Sequence, residues 1–227
     1  MLFTISDLHL SLGSNKPMDI FSGWENHVER LEQNWRKIIS ENDTVIIPGD
    51  ISWGLKLEET KEDFLFLENL PGHKYILKGN HDLWWSTVKK MTGYFDELGI
   101  KTIEIVHNNA FVAENASICG TRGWYYDDTE SDRKVLLREA GRLERSILEA
   151  EKTGLPPVVF LHYPPLFGEN ICPEIYEILV NHKVKRCYYG HLHGASFAGA
   201  FNGEKDGIKF RLVSGDYLSF CPYRIIV

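Results

Sequence analysis

Short apolar runs alternate along the chain with longer stretches in which apolar residues return every three or four positions. Runs rich in Val, Ile, Phe and Tyr predict buried strands over residues 2–6, 44–48, 74–78, 103–106, 110–113, 117–121, 157–162, 185–189, 209–214 and 223–227. Between several of them lie helical patterns. Val28, Leu31, Trp35, Ile38 and Ile39 mark one face of a helix, and Phe64, Leu65, Leu67 and Leu70 mark a second, ending before Pro71-Gly72. The longest predicted helix covers residues 130–152, with Leu136, Ala140, Leu143, Ile147 and Ala150 as its apolar stripe. Thr129 and Asp132 resemble a capping box at its start, and Gly154 and Pro156 supply its stop. Core packing explains these stripes without any functional role. The first half thus reads as α/β units. The second half places strands in succession, a pattern that suits two packed sheets with helices outside.

Composition narrows the picture. The chain has 227 residues, 43% of them apolar, and no repeat or low-complexity linker divides it. One domain over residues 1–227 is expected. The net charge of -7 argues against a nucleic-acid coat protein. It does not exclude a nuclease, since bound metal ions supply positive charge locally. The opening residues already read as a strand, with no basic leader before a long apolar stretch, so no secretory signal is expected. No apolar run is long enough to span a bilayer. Cys119, Cys172, Cys187 and Cys221 are widely spaced and form no Cys-x-x-Cys, which predicts reduced core thiols and a cytoplasmic protein.

Five short motifs stand at the ends of predicted strands: Asp7-Leu8-His9, Gly49-Asp50, Gly79-Asn80-His81-Asp82, His162, and Gly190-His191-Leu192-His193. Ligands of open α/β sheets bind beyond the carboxyl ends of strands, so these residues can converge on one rim. The glycines at 49, 79 and 190 would let the backbone turn sharply and come close to a bound ion or phosphate. Each motif alone is weak, because turn aspartates and satisfied histidines are common. The ordered set is much more specific. All the donors are oxygen or nitrogen, which favours Mn, Fe, Zn or Ni without choosing among them.

In this order the motifs resemble the calcineurin-like metallophosphoesterase superfamily. The resemblance runs from Asp7 to His193. It implies a four-layer α/β/β/α sandwich of two mixed β-sheets flanked by helices. It implies two divalent or mixed-valence metal ions: Asp7, His9 and His193 on one, Asn80, His162 and His191 on the other, and Asp50 bridging. His81 would lie beside the site as proton donor, with Asp82 orienting it. The implied reaction is phosphoester hydrolysis by a hydroxide bridging the ions, with the metals neutralising charge on the phosphoryl oxygens.

Other residues bear on the substrate. Arg122 follows a strand and could clamp a phosphate oxygen, or simply pair with an acidic neighbour. Trp53, Trp84, Trp85, Trp124, Tyr125 and Tyr126 lie near motifs and could stack on a base or aromatic leaving group; core packing is the alternative. Residues 10–23, polar and including Lys16 and Pro17, should start near the metals and form part of a substrate wall. The spacing of Asp7 from Asp50 exceeds that of many relatives. His27, His73, His107 and His182 match no motif and read as structural or surface residues. The Ile51-Ser52-Trp53-Gly54 continuation lacks the Asp-Arg-Gly of serine/threonine phosphatases, which turns the expectation away from phosphoproteins. A small soluble phosphomonoester, nucleotide or phosphodiester is expected as substrate, since no basic stretch suits polymeric nucleic acid. The rivals are a Mn-dependent nuclease of the same superfamily and a non-catalytic scaffold on the same fold.

Overall fold

In the computed structural model, which describes residues 1–124 and 130–227, the strands in chain order are β1 (Leu2–Thr4), β2 (Thr44–Pro48), β3 (His73–Leu77), β4 (Ile103–Ile105), β5 (Phe111–Ala113), β6 (Ala116–Thr121), β7 (Pro157–Leu161), β8 (Leu166–Phe167), β9 (Asn170–Ile171), β10 (Arg186–Tyr189), β11 (Gly203–Lys205), β12 (Ile208–Leu212) and β13 (Tyr223–Ile225). The helices are α1 (His27–Ile38), α2 (Lys61–Glu68), α3 (Val88–Leu98), α4 (Glu130–Glu151) and α5 (Pro173–Asn181). One sheet has the order β13-β1-β2-β3-β4 and the other β11-β12-β10-β7-β6-β5. Inner neighbours pair in parallel, while β13, β11 and β5 pair antiparallel at the edges, so both sheets are mixed.

The near-continuous apolar runs follow from covering both faces of each sheet. Side chains alternate across a strand, so neighbours enter different cores. Phe3, Val45, Ile47 and Ile76 face α1, α2 and α3, meeting Leu31, Trp35, Phe64, Met91 and Phe95. Leu2, Ile46, Tyr75 and Leu77 turn the other way, onto Ile118, Val158, Phe160 and Tyr188 of the second sheet. Cys119, Val159, Leu161, Cys187 and Tyr189 then face Leu136, Leu143 and Ile147 of α4 and Ile175 and Leu179 of α5. Three apolar layers thus separate four layers of backbone, as the resemblance implied.

All ten predicted strands are present, most shortened by a residue or two at their ends. The helices α3 and α5 and the strands β8, β9 and β11 were not predicted. β11 is exposed along its length and carries no apolar residue to announce it. α3 buries only Met91 and Phe95 among polar neighbours, although Thr87 caps its start by accepting the Lys90 N–H and left-handed Gly99 ends it. The Thr129–Asp132 capping box and the rim residues Tyr125 and Tyr126 lie outside the described residues. No helix among the described residues is long and apolar enough to cross a membrane. Cys119, Cys172 and Cys187 are buried free thiols, and Cys221 is half-buried.

Candidate metal centre

The parallel strands β1, β2, β3, β7 and β10 end on the same rim, and the loops beyond them are tied to one another. Ser6 donates its N–H to Val213 across the sheets, Asp7 to Gly49, and His9 to the carbonyl of Asp50. Gly190 donates to the His162 carbonyl. At Gly49 the backbone is left-handed (φ 91°), and a Cβ there would stand 2.6 Å from Gly79 Cα, so no other residue lets these two loops meet. Asp7, His9, Asp50 and His191 are themselves left-handed, at φ 57°, 45°, 51° and 72°. Such backbone costs about 1–2 kcal/mol for each non-glycine residue and is retained where surrounding structure over-determines it.

All seven predicted ligands are brought together. Oxygen or nitrogen atoms of Asp7, His9 and His193 lie within 4.8 Å of one another, as do those of Asp7, Asp50 and His162. Asp50 Oδ2 is 3.7 Å from His9 Nε2 and 3.4 Å from His162 Nε2, between the two expected sets. Asn80 Oδ1 is 2.7 Å from His162 Nε2 and 2.8 Å from His191 Nδ1.

The chemistry of these donors fits a cation. His162 Nδ1 lies 3.0 Å from the Pro48 carbonyl, an acceptor only, so the ring proton belongs on that nitrogen. Nε2 is then a lone pair facing the Asn80 carbonyl oxygen, another lone pair. With the amide oxygen in this place, a cation between the two would be held by both. Burial lowers the pKa of His9, His162 and His191, that of His162 to about 3, and so keeps the rings neutral and able to ligate.

The carboxylates carry the same signature. Burial raises the Asp50 pKa well above the usual range, and the charges of Asp7 and Asp82 add to this. Burial acts against ionised Asp7 too, but hydrogen bonding and attraction from His193, with His162 and His9, hold its pKa below the ordinary range. His193 is the counterpart: burial would lower it, yet hydrogen bonds to Asp216 and Asp7 raise it to about 10.

A cleft of about 430 Å³ opens beside this centre, lined by His9, His81, His193, Met18, Trp24 and Trp53 among others. Trp53 stacks on His9 with ring centroids 4.8 Å apart and lies 4.6 Å from the exposed His81 ring. The loop of residues 10–23 forms one wall through Met18, Phe21 and Ser22, with Lys16 Nζ 4.5 Å over the Trp53 ring.

A model of the calcineurin-like phosphoesterase family matches residues 2–195. This chain belongs to that family. No curated protein matches the sequence. Among solved structures, the chain is similar to a protein of unknown function from Aquifex aeolicus, with 16% identity, 98% of this chain and 94% of that one covered, and a TM-score of 0.53. It is similar to the phosphopantetheinyl hydrolase of Mycobacterium tuberculosis at 16% identity, with 94% and 88% covered and a TM-score of 0.53. A Thermus thermophilus protein matches at 13% identity over 84% and 80% of the two chains, with a TM-score of 0.56. These likenesses carry the shared fold.

Two predicted site residues, Asp82 and Arg122, do not line the cleft. Asp82 makes its hydrogen bonds away from the His81 ring. It is fully buried and accepts the N–H groups of Asp50, Ile51, Ser52 and Gly79 and the Trp84 indole N–H. Burial raises its pKa to about 6 against these bonds. Arg122 does not line the cleft beside His81. Its guanidinium lies 4.5 Å over Trp124 and 3.7 Å from Glu139, and only its carbonyl touches the centre, accepting the His162 N–H.

Of the described aromatics expected to stack on substrate, Trp53 alone lines the cleft. Trp84 is buried against Phe64, and Trp85 packs on Trp84. His27 is buried against Trp24 and Phe220, His73 and His182 pair with Glu104 and Glu151, and His107 lies in a separate cavity. The sequence reading missed three residues. Asp216 is 2.9 Å from His193 Nδ1 and directs Nε2 toward Asp7. Trp24 packs edge-on against His9 and His193, and Tyr163 covers His191 at 4.4 Å. The signal for Asp216 was present: Gly215-Asp216 follows a predicted strand as Gly49-Asp50 does.

Proposed function

We propose that the chain hydrolyses a small soluble phosphoester at two metal ions, held by Asp7, His9 and His193 on one side and Asn80, His162 and His191 on the other, with Asp50 between. The observation that carries this is the meeting of Asn80 Oδ1 with His162 Nε2 at 2.7 Å and His191 Nδ1 at 2.8 Å, which gathers three metal-competent donors at one point beside Asp50. When bound, the ions activate water and neutralise charge on the phosphoryl oxygens. The oxygen and nitrogen donors suit Mn, Fe, Zn or Ni without choosing among them.

The chain's own residues do the rest. Asp216 and Pro48 fix the orientation of His193 and His162. His81, exposed on the cleft wall and carrying no structural hydrogen bond on its ring among the described residues, donates a proton to the leaving oxygen. Trp53, Met18, Trp24 and Phe21 exclude water around an apolar or aromatic leaving group, which supports a small organic phosphoester over a polymer.

The test is a panel of monoester and diester chromogenic phosphates against Mn²⁺, Ni²⁺, Zn²⁺, Fe²⁺ and Mg²⁺, with Asp50→Asn alongside. Hydrolysis that depends on added metal, with two ions per chain and lower metal content in Asp50→Asn, is expected. No turnover with any ion would leave a non-catalytic scaffold, and unchanged metal content and rate in Asp50→Asn would sink the ligand assignment.

A further inference from the structure

A second cavity, of about 280 Å³, shares no lining residue with the cleft beside His81. It opens between the ends of β3 and β6 and the flank of α4. Three cations line it, Lys78, Arg122 and Arg142, against one carboxylate, Glu139. That carboxylate is already engaged. It is 1% exposed, accepts the Thr121 hydroxyl at 2.7 Å and Arg142 at 2.6 Å, and stands 3.7 Å from Arg122.

Beyond Glu139 no carboxylate lines the cavity, and the Asp82 charge acts on Lys78 from outside it. Lys78 has no ion-pair partner among the described residues, and the Arg122 Nε is buried without a hydrogen bond. Buried donors of this kind are rare without a ligand or water to meet them. Ser86 and Thr87 bring hydroxyls to the same wall. The volume is several times the roughly 30 Å³ that a water occupies in the liquid, room for a phosphoryl group and some of its hydration.

The cavity is next door to the metal centre. Lys78 immediately precedes Gly79-Asn80, and the Arg122 carbonyl accepts the N–H of His162 at 3.1 Å and of Tyr163 at 2.9 Å. One wall of backbone therefore separates two places built for anions. Guanidinium and ammonium groups gathered around one hollow select a compact dianion over a neutral ligand.

We propose that the cavity bounded by Lys78, Arg122 and Arg142 binds a second phosphate group, separate from the phosphoryl group at the metal centre. It arrives either as a second phosphate of the substrate or as free phosphate. The inference deepens the phosphoesterase reading and rests on it for the ligand's likeness to the substrate.

The experiment is equilibrium dialysis of the Mn²⁺-loaded protein with radiolabelled inorganic phosphate. Two phosphates per chain are expected in the wild type and one in the Lys78→Gln/Arg142→Gln double variant. The charge-preserving Lys78→Arg/Arg142→Lys variant keeps two, which separates lost charge from lost folding. Asp50→Asn keeps the one in this cavity. If the metal reading fails while this one holds, the wild type binds one and the double variant none. Equal binding by wild type and double variant overturns the proposal.

A ladder of alkane-α,ω-diol bisphosphates against an alkyl monophosphate assigns the source. A KM about tenfold or more lower at one chain length, lost in the double variant, identifies the substrate's own second phosphate. Equal KM values at every length identify free phosphate.

Discussion

Asp82→Asn separates two roles for the carboxylate beside His81. In the folded chain one Asp82 oxygen accepts the N–H groups of Asp50 and Gly79 at 2.9 and 2.7 Å. The other accepts Ile51 at 2.8 Å, the Trp84 indole at 3.1 Å and, more weakly, Ser52 at 3.4 Å. Asparagine must turn its NH2 toward one of these groups, so at least two buried donors then face a donor. Each such loss costs about 1–3 kcal/mol, so the pair costs about 2–6 kcal/mol. Burial works in the other direction, since the neutral amide no longer holds a desolvated charge; the expected loss therefore lies in the lower half, about 2–4 kcal/mol. Against an ordinary stability of about 5–15 kcal/mol this is large and easily read. The loops carrying Asp50 and Asn80 lose their common brace, so metal content falls as well. Urea unfolding and metal analysis on the same preparation check both. A wild-type unfolding midpoint with full metal content would refute the bracing argument. Retained stability and metal with slow turnover of poor leaving groups alone would instead return Asp82 to orienting His81.

His81→Ala should keep both metals and lose turnover by about 10²–10⁴, most for substrates with poor leaving groups; equal losses across a leaving-group series would remove its role as proton donor. Trp53→Ala should raise KM for aryl phosphates about 2- to 10-fold and leave alkyl phosphates nearly unchanged, on the typical worth of an aromatic contact; parallel changes in steady-state kinetics for the two classes would show that Trp53 only packs. Lys74 gives a pH signature away from the site. Its side chain is fully buried, held by the Leu70 carbonyl and the Thr102 hydroxyl, and burial lowers its pKa from 10.5 to about 8. Between those values the unfolded chain binds more protons, so this group's penalty is full below pH 8 and fades as pH rises toward 10.5. The stability difference between wild type and Lys74→Met, read by denaturant unfolding at pH 7.5 and pH 10, should shift toward the wild type by about 2–3 kcal/mol; a pH-independent difference would contradict it.

Much of this was legible along the chain. The central strands are apolar throughout because both faces are covered, so they stand out from sequence alone. Asp7, His9, Asp50, Asn80, His162, His191 and His193 were legible because each follows such a strand, and parallel strands deliver their ends to one rim. What was missed has physical reasons. β11 is an exposed edge with no buried face to mark it. Trp24 and Tyr163 act through packing onto ligand rings, and packing partners far apart in sequence leave no local pattern.

The sequence by itself determined the strands and the order of the motifs at their ends, because these depend on periodicity and on residue type, and through that order the resemblance to the phosphoesterase family and its four layers. Only the tertiary structure decided what surrounds them. It turned Asp82 onto backbone N–H groups, moved Arg122 out of the cleft into a cavity with Lys78 and Arg142, and brought Asp216 to His193. Those assignments depend on side-chain direction and on loops packed across the two sheets, which one-dimensional spacing does not encode.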